Sequence, residues 1–229
     1  MSRGSGRRPA VAIDGPTAAG KSSVAREVAR RLGYAYLDTG AMYRAVALAA
    51  RRRGVALRDD QTLTRLARGL AIDFTGSPDG GRVLADGEDV TDAIRSPVIS
   101  EAASRVSTKP GVREAMVARQ RVLAAAGGVV MEGRDIGTVV LPDAEVKVFL
   151  TASLEARAAR RHAELLARGL AVTLDEVRRQ VEDRDRRDET RAHSPLRPAP
   201  DAVVVDTTDL TLEQAIAAVL EVVRRRTEA

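Results

Sequence analysis

Gly15-Pro16-Thr17-Ala18-Ala19-Gly20-Lys21-Ser22 decides the reading of this chain. The stretch meets G-x-x-x-x-G-K-[ST] at every fixed position. Its glycines let the backbone curl so that successive N–H groups point inward at a polyphosphate. A helix beginning at Lys21 would add its positive N-terminal end to the same anion. Lys21 can then reach the β- and γ-phosphates of a nucleoside triphosphate, and the Ser22 hydroxyl can ligate Mg²⁺. The motif works between a buried strand and a helix, and its flanks supply both. Val11-Ala12-Ile13 is a short apolar run ending at Asp14-Gly15. Beyond the loop, Val24, Ala25, Val28 and Leu32 recur at helical spacing and Gly33 follows as a terminator.

Outward from the loop the same rhythm continues. Residues 34–37 read as a second strand, and 40–53 as a second helix closed by Gly54. Residues 70–90 break the pattern. Pro78-Asp79-Gly80-Gly81 and Asp86-Gly87 are turn signals between β-prone pieces, which predicts an antiparallel insertion of two or three strands. Helical patterns resume near Pro97 and again over 112–126. Three more apolar runs, at 129–131, 146–150 and 202–205, read as strands, and a last helix is capped near Thr211 with Glu213 close behind. Short apolar strands alternating with helices predict an α/β fold, a five-stranded parallel sheet with helices on both faces. A highly charged stretch, 155–191, separates the last two strands, and no internal repeat is present.

Composition narrows the class. Two Phe, three Tyr and no Trp leave an aliphatic core and no platforms for stacking single-stranded nucleic acid. The absence of cysteine excludes disulfides, thiolate catalysis and Cys-ligated metals, and fits a cytoplasmic location. No apolar run reaches the length of a membrane span. Residues 1–10, basic and Gly/Ser-rich, read as a disordered leader to a single domain at 11–229. The net charge of +5 is carried by arginine, the only lysines being Lys21, Lys109 and Lys147. Such a balance suits phosphorylated small molecules as well as nucleic acid. Neither the N-K-x-D motif of GTPases nor the acidic run of motor ATPases is found. A small-molecule kinase is the class that remains, with no nucleic-acid polymer and no membrane as partner.

Three further blocks resemble the bacterial cytidylate kinase family. They are Tyr36-Leu37-Asp38-Thr39-Gly40-Ala41-Met42-Tyr43-Arg44, Glu132-Gly133-Arg134-Asp135-Ile136-Gly137-Thr138-Val139-Val140, and Asp183-Arg184-Asp185-Arg186-Arg187-Asp188 followed by Arg191. They stand in the family's order and spacing, and the resemblance runs from about residue 11 to 223. It implies an adenylate-kinase-like monomer with a β-rich nucleotide-monophosphate-binding insertion at about 40–110 and a helical, arginine-rich lid at about 155–191. The implied reaction is ATP with CMP or dCMP to ADP with CDP or dCDP, assisted by Mg²⁺.

The resemblance assigns residues as follows. Gly15, Pro16, Thr17, Ala18, Ala19, Gly20, Lys21, Ser22 and Ser23 would bind ATP, with Ser22 on the metal. Thr39, Tyr43, Arg44, Arg134, Arg184, Asp188 and Arg191 would hold the acceptor's phosphate and sugar. Ser104, Arg113 and Asp135 would read cytosine, whose N4 amine asks for an acceptor such as a carboxylate. Lys21, Arg157, Arg160, Arg161 and Arg184 would surround the transferred phosphoryl group, because the arginine fork binds phosphate oxygens in pairs and keeps its charge. Glu132 stands where the family often has aspartate. About half of the lid arginines are expected only to pair with acids on a solvated helix face. The rival readings are a P-loop kinase for UMP, AMP, dTMP or shikimate, and a regulatory module that binds nucleotide without transfer.

Overall fold

The computed structural model describes residues 8–75 and 81–228. The expected opening is present as β1 (Ala10–Asp14), α1 (Lys21–Leu32), β2 (Ala35–Asp38) and α2 (Thr39–Arg52). A helix α3 (Asp60–Gly69) then leads to β3 (Ile72–Thr75), β4 (Arg82–Ala85) and β5 (Glu88–Asp89). Helices α4 (Pro97–Val106) and α5 (Pro110–Ala124) return the chain to β6 (Val129–Gly133) and β7 (Val146–Thr151). The charged stretch forms α6 (Leu154–Ala167) and α7 (Leu174–Thr190), and β8 (Val203–Asp206) with α8 (Leu212–Thr227) closes the chain.

Five parallel strands lie in the order β2-β6-β1-β7-β8. The period-two alternation of a strand sends Val11 and Ile13 to one face, where they pack with Val24 and Val28 of α1 and Ile216 and Val219 of α8. Ala10 and Ala12 face the other way, with Met131, Ile136 and Val140. The sheet is therefore covered on both sides, as its near-continuous apolar strands demand. β1 sits between β6 and β7, and ligands of open α/β sheets bind beyond the carboxyl ends of strands at such a reversal of order.

The insertion has its own antiparallel sheet, β3-β4-β5, three strands where two or three were expected. Its core is separate from that of the main sheet and joins Met42, Val46, Leu63, Ile72, Ile99 and Met116. A third small cluster, Leu165, Val177 and Val181, pins α6 against α7. Two elements were not anticipated. One is α3, whose Leu63, Leu66 and Ala67 are buried and whose N-terminus is capped by Asp59. The other is a single wide helical turn, Ile136–Val140, closed by i→i+5 bonds from Val140 N to Asp135 O and from Leu141 N to Ile136 O. The expected leader (1–7 of its residues) and the turn signal at 78–80 lie outside the described residues. Among the described residues no helix is long and apolar enough to cross a membrane.

Candidate active site

The loop after β1 is shaped by its glycines. Gly15 has φ 150°, and a Cβ there would stand 1.9 Å from the Leu150 carbonyl oxygen, so no larger residue fits. Gly20 turns left-handed at φ 88° and starts α1 without a side-chain cap. Helices α2, α3, α4, α6, α7 and α8 are each capped by their own Asp, Ser or Thr side chain. The amides at the head of α1 are thus left for an anion. Lys21 is buried and folds back to donate from Nζ to the Pro16 carbonyl at 2.5 Å. Burial, then the nearby charge of Arg134, pulls its ammonium down to about 7. Ser22 and Ser23 are exposed at the start of the helix.

A carboxylate cluster flanks this loop. Glu132, at the end of β6, accepts from Tyr36 Oη at 2.5 Å and also meets the Ser22 side chain. Burial and the charge of Asp38 raise its pKa against the pull of Lys21. Thr39 Oγ1 donates to the Glu132 carbonyl at 2.7 Å, and Asp38 caps α2 while accepting from Arg44 Nη2 at 2.6 Å. Burial opposes ionisation of Asp38, but Arg44 outweighs it and holds the carboxyl below its usual range.

Beyond the end of β6 the arginines expected to bind the acceptor come together. Arg134 donates to Asp188 at 2.9 Å and to Thr17 Oγ1 at 3.0 Å. Arg184 is half-buried, and desolvation together with the charges of Arg134, Arg44 and Arg161 lowers it to about 10. Arg113 pairs with Asp135 in a buried bridge and lies 5.7 Å over the Tyr43 ring. Arg191 sits against the same Asp135 at 3.6 Å. Tyr43 belongs to the insertion core, and burial pushes its phenol up to about 12.

Buried side-chain atoms without a hydrogen-bond partner include Arg44 Nε, Ser104 Oγ, Arg184 Nε and Arg191 Nη2. Each such group costs about 1–3 kcal/mol when left unpaired in a protein interior. Gln120 Nε2 and Thr138 Oγ1 are in the same condition, so four of the six such atoms among the described residues fall on residues expected at the acceptor. Arg184 thus combines an unpaired Nε with the repulsion of Arg134, Arg44 and Arg161.

A profile of the cytidylate kinase family matches residues 11–225. The chain belongs to the cytidylate kinase family. It is 54% identical over 220 residues to a cytidylate kinase of Geobacillus kaustophilus (strain HTA426), covering 96% of this chain and 98% of that one. It is also 54% identical over 209 residues to a bifunctional pantoate ligase/cytidylate kinase of Synechococcus sp. (strain JA-3-3Ab), covering 90% of this chain and 39% of that larger protein. A crystal structure of an uncharacterized protein from Eubacterium ventriosum ATCC 27560 shares the fold, with a TM-score of 0.52 at 11% identity over 95% of this chain and 99% of that one.

In this member of the cytidylate kinase family the three arginines of α6 expected around the transferred phosphoryl group differ in their surroundings. Arg157 is spent on the protein: it pairs with Asp185 and donates to the carbonyls of Ala152 and Thr17 at 2.9 and 3.0 Å. Arg160 donates to Thr207 Oγ1 at 3.0 Å and to the Thr207 carbonyl at 2.5 Å. Arg161 pairs with Glu164 at 2.7 Å and adds to the field on Arg184. Sequence reading passed over several supporting residues. Asp14 accepts from the amides of Ile136 and Gly137 at 2.8 and 2.7 Å and so holds the segment carrying Asp135; burial drives its carboxyl up to about 6. Asp185 lies within a block already quoted, yet nothing local reveals that it accepts from Thr17 N at 2.9 Å. Gln120, fully buried next to Tyr43, did leave a signal: it shares one face of α5 with Val112, Arg113, Met116 and Ala124.

Proposed function

We propose that the chain is a nucleoside monophosphate kinase that transfers the γ-phosphoryl group of ATP to CMP and dCMP. The observation that carries the reading is that Arg44, Arg184, Arg191 and Ser104, all matched to the acceptor, each keep a buried donor without a hydrogen-bond partner. ATP lies along residues 15–23, its phosphates on the amides at the head of α1 and on Lys21. The acceptor phosphate takes Arg44, Arg134, Arg184 and Arg191, with Thr39 and Tyr43 beside it, and its sugar takes Asp188. Ser104, Arg113 and Asp135 read cytosine, with Asp135, held by its pairing with Arg113, as the acceptor for N4.

The Ser22 hydroxyl and the Glu132 carboxylate are hard oxygen donors side by side, which suits Mg²⁺ arriving with the triphosphate and keeping part of its water shell. Bound there, it would neutralise charge on the β- and γ-oxygens. Nothing further is asked of a general base, since the attacking group is already a phosphate anion. Catalysis is positioning and charge neutralisation by Lys21, Arg184 and Arg161, with water excluded between the insertion (40–110) and the lid (155–191). Arg157 and Arg160 serve this indirectly, by fixing the loop and the chain after β8. Cytoplasmic residence, a monomeric state and a place in pyrimidine nucleotide metabolism belong to the same proposal, the first supported by the absence of cysteine.

The test is ADP release with Mg²⁺ across CMP, dCMP, UMP, AMP, GMP, dTMP and shikimate. CMP and dCMP should exceed the rest, and Asp135→Asn should lower the preference for cytosine over uracil by roughly tenfold or more. A different preferred acceptor overturns the base-reading roles; no acceptor-dependent turnover overturns the kinase.

A further inference from the structure

Thr17 fills a variable position of the phosphate-binding motif, one at which the motif sets no requirement. In the structure each of its polar groups is taken by a different element. Its N–H donates to Asp185 on α7 at 2.9 Å. Its carbonyl accepts from Arg157 on α6 at 3.0 Å. Its Oγ1 accepts from Nη2 of Arg134, just beyond β6, at 3.0 Å. Arg157 and Asp185 also pair with each other. Arg134 is held at two more corners, by Asp188 on Nε at 2.9 Å and by the Gly133 carbonyl on Nη1 at 3.2 Å.

We propose that Thr17 is a positioning residue for the acceptor nucleotide, its hydroxyl setting the plane of the Arg134 guanidinium from the donor side of the cleft. The inference deepens the kinase reading and rests on its assignment of Arg134 and Asp188 to the acceptor. A guanidinium presents its donors in one rigid plane, so anchoring Nε and Nη2 at separate points fixes where the remaining N–H groups aim. Thr17 is only 9% exposed, so water cannot readily replace the bond to its hydroxyl. The lid pair Arg157–Asp185 holds the backbone of the same residue. Donor loop, lid helices and acceptor arginine thereby meet at one residue, and a small displacement of the loop is passed to the acceptor.

The decisive variants are Thr17→Val, which keeps the branched shape and deletes the hydroxyl, and Thr17→Ser, which keeps the hydroxyl. KM and kcat are measured separately for CMP and ATP. Thr17→Val should lower kcat/KM for CMP by roughly tenfold or more, as losing one hydrogen bond to a charged group does. Its KM for ATP should change less than its KM for CMP, and Thr17→Ser should recover most of the loss. In an Arg134→Ala background, Thr17→Val should cost nothing further, because the coupled partner is already gone. Should the valine variant fail to fold, Thr17→Ala makes the same deletion without added bulk. Unchanged CMP kinetics in the hydroxyl-deleted variant, equal losses for ATP and CMP, or additive effects with Arg134→Ala would each overturn the proposal. Wild-type enzyme lacking CMP-dependent ADP release would instead sink the kinase reading, and that assay comes first.

Discussion

Lys21 shows what burial does to a phosphate-binding side chain. Without an anion its ammonium is desolvated and faces Arg134, and its pKa falls to about 7. A triphosphate replaces the lost solvation with charge, so binding must raise that pKa and draw a proton from solution. Titration calorimetry of ATP binding near pH 8, in buffers of different ionisation enthalpy, should show net proton uptake. Affinity should weaken as the pH rises above about 7. The same shift has an opposite sign for the unliganded fold. The unfolded chain, with its lysine at an ordinary value, binds the extra proton between about pH 7 and 10.5, so the stability contribution of Lys21 grows as pH rises through that window. Lys21→Ala should abolish the proton uptake and lower kcat on the order of 10² to 10⁴. Near-normal turnover would mean that the motif lysine has another task. The motif made Lys21 visible in the sequence; its titration depends on Arg134 and Glu132, more than a hundred positions away along the chain.

At the scale of elements, the site hangs on how β6 ends. Gly133 is the last residue of that strand, and a Cβ there would lie 2.6 Å from Ile136 Cδ1 and 2.8 Å from Thr39 Oγ1. Thr39 would have to leave the Glu132 carbonyl, and Ile136 its place under the sheet. Gly133→Ala should therefore cost about 1–3 kcal/mol by overpacking. In a protein of this size that lowers Tm by roughly 2–4 °C per kcal/mol. It should also impair CMP more than ATP, since Arg134 and Asp135 follow directly. An unchanged Tm and unchanged CMP kinetics would show that the strand end yields without consequence. The elements themselves were largely readable, because apolar periodicity and glycine terminators are local properties. Helix α3 was readable as well: Leu63, Leu66, Ala67 and Leu70 recur at helical spacing behind Asp59. The wide turn at 136–140 was not, because its i→i+5 pattern follows from Asp14 on another strand capturing two of its amides.

Across the whole molecule, three apolar units meet around the cleft: the sheet with its two covered faces, the insertion core, and the small α6–α7 cluster. Lid and insertion touch through exposed contacts, such as Arg187 with Glu101 at 2.6 and 2.8 Å and Arg168 with the Arg95 carbonyl at 3.0 Å. Exposed pairs of this kind contribute about 0–1 kcal/mol, so ligands spanning the cleft have more influence on its closure than the pairs do. CMP at about 100 times its Kd should stabilise the fold by about 2.7 kcal/mol. That corresponds to a rise in Tm of roughly 5–10 °C. With Asp135 reading the base as proposed, UMP at the same concentration should give a smaller rise, because its carbonyl would face another acceptor. Equal shifts with both nucleotides in scanning calorimetry would remove the basis for base reading.

The sequence by itself determined the phosphate loop, the alternation of strands and helices that implies a parallel sheet, and the family, because each is read from short runs of neighbouring residues and their order along the chain. It also supplied the side chains proposed for the acceptor, through blocks whose order and spacing resemble that family. Only the tertiary structure decided which of those side chains have partners. Thr17 meets Arg134 across 117 positions and Asp185 across 168, and Asp14 meets Ile136 across 122. A hydrogen bond exists or fails within a few tenths of an ångström. Spacing along a chain carries no information that fine between elements brought together by burial. For the same reason the lid arginines look alike as letters and differ as groups: Arg157 is locked by Asp185, Arg160 by Thr207, and Arg184 keeps a buried Nε unpaired.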